Sequence, residues 1–152
     1  GAVQRERLWS VRRQVSVALR QLQQMKISED VVVPRSKIAQ AIARFKSIGS
    51  ELGLTVSTYG HAGDGNLHTN VLFSNESQRS IVDEAIVRIL KATVEMGGTI
   101  TGEHGVGLAK MNFLEFEQSP ALIDLQRRLK VLIDPRGISN PGKMFPKAHE
   151  SR

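Results

Sequence analysis

The 152-residue chain contains no cysteine. A disulfide framework and any thiolate metal site are therefore excluded, and the composition fits a reducing compartment. Aromatic residues make up only 5% of the chain, which leaves no stacking platform of the kind that single-stranded nucleic acid binders use. No apolar run reaches the roughly 18 residues a membrane helix needs. The opening "GAVQRER" has neither an initiator Met nor an apolar h-region, so it reads as the cut or tagged end of a fragment and not as a signal peptide. A Gly-x-Ser-x-Gly elbow, a P-loop and a Gly-x-Gly-x-x-Gly fingerprint are all missing, so the segment carries no nucleotide motif of its own.

What is present is ordinary for one soluble domain, or part of a larger protein: 40% hydrophobic and 24% charged residues. The net charge of +6 reads as solubility plus attraction to some acidic partner, and argues against nucleic acid because the arginines and lysines (Arg5, Arg7, Arg12, Arg13, Arg20; Arg127, Arg128, Lys130, Arg136, Lys143, Lys147) are interrupted by apolar positions. The expected location is cytoplasmic, or peripheral to a membrane, with no transmembrane segment.

Periodicity predicts the elements. Leu8, Val11, Val15, Ala18, Leu22 and Met25 form one stripe of a helix over 5–25, expected to pack on a core. "EDVVVP" reads as a strand stopped by Pro34. Ile38, Ile42, Phe45 and Ile48 mark a helix. "LTVSTYG" and "NLHTNVLF" read as two more strands. Asn75 and Gln78 resemble a capping box opening a helix with Ile81, Ala85, Ile89 and Val94 on one side. "TIT" (99–101) reads as a fourth strand. Residues 105–117 look weakly helical. Ser119-Pro120 caps a last helix striped by Leu122, Leu125, Leu129 and Leu132, and the tail after Asp134 is turn-rich. The order β-α-β-β-α-β over 29–101 predicts an α+β fold with a ferredoxin-like, split-βαβ antiparallel sheet and additional C-terminal helices.

Two glycine-rich stretches concentrate the histidines. In "HAGDGNLH", Asp64-Gly65 is a strong hairpin signal. A two-residue turn there sets His61 directly opposite His68 on one face, Cβ atoms roughly 4.5–5.5 Å apart. Two imidazoles so placed can each give a nitrogen to one metal ion. Asp64, Asn66 and Asn70 lie alongside. The second stretch, "TGEHGVG", offers Glu103 and His104 between glycines that allow close backbone approach. It adds a third ligand and a candidate base. Two histidines and a carboxylate leave coordination positions open, the format of a catalytic ion. The fourth histidine, His149, lies in the tail.

"HAGDGNLH", "GGTITGEHGVGLAK" and "DPRGISNPGKMFP", in this order, resemble the C-terminal domain of FAD-linked oxidases, the family of glycolate oxidase D subunits, D-lactate dehydrogenases and D-2-hydroxyglutarate dehydrogenases. "SEDVVVPRSKI" resembles the segment entering that domain's sheet. The resemblance implies oxidation of a D-2-hydroxy acid to a 2-keto acid with hydride transfer to FAD. It implies His61, His68 and Glu103 as ligands of a divalent metal (zinc, manganese or iron), and His104 as the base that takes the hydroxyl proton. Arg12, in "LWSVRR", is similar to an arginine that pairs with the substrate carboxylate, and Asn70 is assigned to the substrate with it. Asn66 is assigned to the flavin side of the cleft, with Asn140 and Lys143 of "NPGK". FAD itself is expected mainly in an N-terminal domain in cis that this sequence lacks, so this segment alone is expected to be inactive. Other oxidase subunits are further candidate partners.

Two other readings use the same residues: a stand-alone hydrolase with a metal-activated water, and a non-catalytic ligand-binding module. One geometric conflict stands. In an ideal split-βαβ sheet the hairpin tip and the end of strand four are at opposite ends, which separates Glu103 from the histidines.

Overall fold

A computed structural model of the chain describes residues 1–22 and 24–146. Lys147 and His149 lie outside the described residues. The element order is α1 (Ala2–Leu22), β1 (Met25–Val32), α2 (Ile38–Glu51), β2 (Thr55–His61), β3 (Asn66–Phe73), α3 (Arg79–Glu95), α4 (Gly107–Lys110) and α5 (Pro120–Ile133), with short 3-10 turns before α2 and α3 and after α4. The fold is α+β, a three-stranded antiparallel sheet in the order β1-β3-β2.

β3 is the central strand and is buried along nearly its whole length. Alternation sorts its side chains. Leu67, Val71 and Phe73 join Val31 of β1 in the core, packed against Ala41, Phe45 and Ile48 of α2 and Val82, Ala85, Ile86 and Ile89 of α3. The opposite face carries Asn66, His68 and Asn70, flanked by Asp30 and Ser28 of β1 and by Tyr59 and Ser57 of β2 at the paired positions. The sheet is thus apolar towards α2 and α3 and polar on its other side.

The expected fourth strand is corrected. Thr99 makes one antiparallel bridge to Val32, with both backbone hydrogen bonds formed, at 2.9 and 3.1 Å. The chain then leaves the ladder, because the carboxylate of Asp30 draws the backbone N–H groups of Gly102, Glu103 and His104 inwards in place of a continuing strand. This brief edge lies beside β1, with β1-β3-β2 beyond it, so the split-βαβ connectivity holds for three strands and stops after one bridge of the fourth.

The stripes of the first and last helices are also corrected. Leu8, Val11 and Leu22 are exposed, as are Leu122, Leu125, Leu129 and Leu132; Leu19 and Ile123 are the buried apolar residues of α1 and α5. Periodicity fixes amphipathicity but not what covers the apolar side, and on the polar sheet face Leu72 is the one fully buried apolar residue of β3. Met25 belongs to β1, which starts four residues before the predicted strand. At the start of α3, Gln78 accepts from the Ser74 N–H and Asn75 makes no side-chain cap, so the predicted box is not formed. Ser119 does cap α5, accepting from the Leu122 N–H with Pro120 at the first helical position.

Candidate functional site

The β2–β3 hairpin closes through residues 62–65, a four-residue loop and not a two-residue turn. The N–H groups of Asp64 and Gly65 both point to the His61 carbonyl, and the Asp64 carboxylate accepts from the Asn66 N–H at 2.9 Å. Gly65 has φ +84°, and a Cβ there would stand 2.0 Å from the Val33 carbonyl oxygen. The longer loop shifts the register: His61 pairs with Asn66, and His68 pairs with Tyr59. The predicted direct opposition of His61 and His68 is therefore wrong. The shift moves His61 by two positions relative to β3, so both imidazoles still share the polar face as diagonal neighbours. Their rings meet edge to face with centroids 5.4 Å apart.

The early end of strand four resolves the separation of Glu103 from the histidines. Asp30 pairs with His68 across β1 and β3. Its Oδ2 accepts the N–H groups of Gly102, Glu103 and His104 at 3.0, 2.8 and 3.1 Å. The glycine-rich loop is consequently held at the level of His68. Glu103 Oε1 lies 3.6 Å from His68 Nε2 and 3.8 Å from His104 Nε2. The His104 ring stacks on His68, centroids 6.0 Å apart and 19° from parallel. His61, His68 and Glu103 present ligand atoms all within 4.8 Å of one another. Around a tetrahedral ion with ligands at about 2.0–2.2 Å, neighbouring ligand atoms stand about 3.4 Å apart, so the donor set fits a divalent ion with modest closure.

Burial sets the electrostatics. It lowers the pKa of His68 below its usual value, reinforced by the neighbouring His61 and His104 and opposed by Asp30 and Glu103, so the ring favours its neutral, ligating form. Burial works against ionisation of Asp30, but the backbone N–H groups of His104 and Glu103, together with the charges of His104 and Lys110, hold the carboxyl below its usual value. Asp30 Oδ1 and Asn66 Oδ1 are both buried without a hydrogen-bond partner, and such atoms are costly unless something polar meets them.

The other predicted residues fall into two groups. The Arg12 guanidinium of α1 lies 5.8 Å from the centroid of the Tyr59 ring, which itself stands 5.5 Å from His68, so α1 brings a cation to the rim of the histidine cluster. Asn66 is buried on the same face. Asn70 is fully buried, and its hydrogen bonds are spent within the sheet: its oxygen accepts from Ser28 and Lys26, and its nitrogen donates to the carbonyls of Ser57 and His68. Asn140 and Lys143 sit in the turn after α5. Asn140 adopts a left-handed φ of 48°, and Lys143 lines a groove with Val106 and Gly107. Among the described residues no hydrogen bond, ion pair or ring contact joins either to the histidine cluster.

Sequence reasoning missed Asp30 and Lys110. Lys110 is buried and donates from Nζ to the carbonyls of Asp30 (2.5 Å) and Ile100 (2.7 Å), with Glu29 Oε2 at 3.4 Å. It fastens the start of the glycine-rich loop to β1. The available signal was a lone acidic pair before "VVVP" and one lysine in "GLAK", single charges that carry no period.

A family model described as FAD linked oxidases, C-terminal domain, matches residues 1–144. The glycolate oxidase subunit GlcD of Bacillus subtilis is 42% identical over 149 residues, covering 95% of this chain and 31% of its own length. A D-lactate dehydrogenase of Archaeoglobus fulgidus is 42% identical over 118 residues, 78% of this chain and 26% of its own. The mitochondrial D-lactate dehydrogenase [cytochrome] of Kluyveromyces lactis is 40% identical over 116 residues, 76% and 20%. The chain thus spans less than a third of the length of these curated relatives. With nearly every residue covered by the family model and the loops that converge on the polar sheet face lying inside it, the chain belongs to the FAD linked oxidase C-terminal domain family.

Proposed function

We propose that this domain is the substrate- and metal-binding part of a flavin-dependent dehydrogenase that converts a D-2-hydroxy acid, of the glycolate or lactate type, to the 2-keto acid. The observation that carries the reading is the convergence of His61, His68 and Glu103 with His104 against them. The names of the relatives, glycolate oxidase subunit and D-lactate dehydrogenase, supply the substrate class. Zinc, manganese or iron would suit the histidine and carboxylate donors.

His61, His68 and Glu103 would hold the ion. When bound, it supplies a Lewis acid that polarises the substrate hydroxyl and lowers its pKa. Arg12, at the rim, pairs with the substrate carboxylate and fixes which face of the carbinol carbon is presented. His104 accepts the hydroxyl proton through an imidazole nitrogen as the carbon–hydrogen bond breaks. FAD, when bound, supplies the acceptor for the hydride that leaves that carbon with two electrons. Asn66 stands on the flavin side of the cleft. Asn70 braces the strand beneath His68, and would bind substrate only by giving up one of its internal bonds. Asn140 and Lys143 act, on this reading, from the rim of the flavin cleft.

The flavin domain is in cis, N-terminal to this segment. The outward stripes of Leu8 and Val11 on α1 and Leu125 and Leu129 on α5 are apolar surface of the kind an adjoining domain covers. GlcD is named as a subunit of glycolate oxidase, and we include other subunits among the partners of the whole protein. No helix among the described residues is long and apolar enough to cross a membrane; the location that goes with the proposed reading is cytoplasmic or membrane-peripheral.

The test is anaerobic flavin reduction by glycolate and D-lactate in the protein expressed from its complete gene. Bleaching of the flavin by one of them is expected, with collapse of that step in His104→Ala while flavin content is unchanged. Near-normal reduction in His104→Ala removes His104 as base. Substrate turnover that persists without flavin favours the hydrolase reading.

A further inference from the structure

We propose that Asp30 is the positioning residue of this site, one carboxylate that performs two tasks with its two oxygens. Oδ2 holds the loop that carries Glu103 and His104, and Oδ1 sets the tautomer of His68. The second task rests on the metal reading above; the first does not.

Asp30 is 3% exposed, so its carboxylate faces protein on all sides. Three successive backbone N–H groups converge on Oδ2. This arrangement is a nest that binds an anion, here supplied by the chain itself. Glu103 and His104 are exposed and lie outside any helix or strand, and no other acceptor is found for their N–H groups among the described residues. The Gly102 N–H also reaches the Asp30 main-chain carbonyl, at 3.3 Å, so it is the N–H groups of Glu103 and His104 that would lose their one hold on the sheet without the carboxylate. Lys110 supports the arrangement from the main-chain side, donating to the Asp30 and Ile100 carbonyls.

Oδ1 accepts no hydrogen bond, and Nδ1 of His68 lies 3.4 Å from it. A buried carboxylate oxygen favours a proton on the nitrogen that faces it. That places the lone pair of neutral His68 on Nε2, the atom facing Glu103. Carboxylate-to-histidine contacts of this kind fix ring orientation and raise ligand basicity.

Asp30→Asn separates the tasks. The amide oxygen must stay in the nest, because an NH2 group there would face three donors. The NH2 group is thereby turned to His68 Nδ1, which then accepts and moves the ring proton to Nε2. Asp30→Ala removes both tasks.

The experiment uses the protein expressed from its complete gene. Zinc affinity is measured by competition with a chelator, and amide hydrogen exchange is followed at Gly102–His104, with melting temperature and flavin content monitoring the fold. In the parent protein the three amides should exchange slowly despite their exposed setting. This arm needs no variant, and free exchange there overturns the loop task. Asp30→Asn should bind zinc about 10- to 100-fold more weakly while those amides keep most of their protection. Asp30→Ala should lose zinc affinity and the protection of Glu103 and His104, while Gly102 retains part of its own through the Asp30 main-chain carbonyl. Unchanged zinc affinity in a folded Asp30→Asn overturns the tautomer task. A parent protein that binds no zinc overturns the metal reading and the tautomer task together, and the loop task then stands or falls on exchange.

Discussion

His61 stands two residues out of direct opposition to His68, paired instead with Asn66, and still meets its partner edge to face at 5.4 Å. The even offset is what matters. Side chains on a strand repeat every two residues, so a slip of two changes the partner and keeps the face, whereas a slip of one would send His61 to the other side. Both rings should therefore be needed for one ion. His61→Ala and His68→Ala, each in the protein expressed from its complete gene, are expected to leave less than a tenth of the parent's metal by elemental analysis. Parent-like metal content in either variant would reject a shared ion.

The parts of this site differ in how far they could be read from the sequence. Helices α2 and α3 announce themselves because one side of each is buried, and burial imposes a period; strands β2 and β3 show instead as short runs with β-branched residues on either side of the Asp-Gly turn signal. The hairpin register was misjudged because the Asp-Gly rule describes a two-residue turn. Here Asp64 instead bonds the Asn66 N–H while Gly65 takes a left-handed φ inside a longer loop. The proximity of Glu103 was illegible for a different reason. It depends on strand four stopping after one bridge, and what stops it is the carboxylate of Asp30, seventy-two residues away from Gly102 in sequence. Contacts of that range leave no local pattern. The exposed stripes of α1 and α5 show the converse, a period that was legible and correctly helical but silent about what it faces.

Arg12 is the cation beside the cluster that the proposed mechanism uses for the substrate carboxylate. A charge-assisted hydrogen bond contributes about 1.5–3 kcal/mol, so Arg12→Ala should raise KM for the hydroxy acid roughly 10- to 150-fold with a smaller change in kcat. Arg12→Lys should recover only part, because an ammonium cannot reproduce the planar two-pronged contact. Steady-state kinetics with flavin content as control decide it. Equal KM values in Arg12→Ala and the parent would place the carboxylate elsewhere.

The Glu29–Lys110 pair makes a prediction that unfolding measurements read without any assay of catalysis. Both side chains are buried, with Nζ to Oε2 at 3.4 Å. Burial raises the Glu29 carboxyl above its usual 4.5, and the nearby positive charge of Lys110 pulls only partly against it. A folded-state value above the unfolded one means the folded protein binds the proton more tightly. The associated stability is present below about pH 4.5 and is lost as pH rises through the folded value. Glu29→Gln should flatten that segment of the stability–pH curve. Lys110→Met leaves a buried carboxylate without its cation and should cost about 3–5 kcal/mol at neutral pH. The double variant should cost less than Lys110→Met alone. Urea unfolding at several pH values measures all three.

Gly102 tests whether the loop's closeness to the sheet is what assembles the site. A Cβ at Gly102 would stand 2.5 Å from Asn66 Oδ1 and 3.0 Å from Asp30 Oδ1. Neither neighbour can yield easily, since both residues are buried and the Asp30 carboxylate is held by three N–H groups. In Gly102→Ala the backbone must move outwards, stretching those same bonds and carrying Glu103 away from His68. Overpacking of this kind costs about 1–3 kcal/mol, and metal content should fall with it. Gly105 is the control. It has φ +77° but nothing within 4 Å of an added Cβ. Gly105→Ala should therefore cost only the left-handed strain, about 1–2 kcal/mol, and leave metal content intact. A comparable loss of metal in both variants would show that general loosening of the loop, and not its contact with Asp30 and Asn66, governs the site. Metal loss confined to Gly102→Ala would tie ligand geometry to that contact.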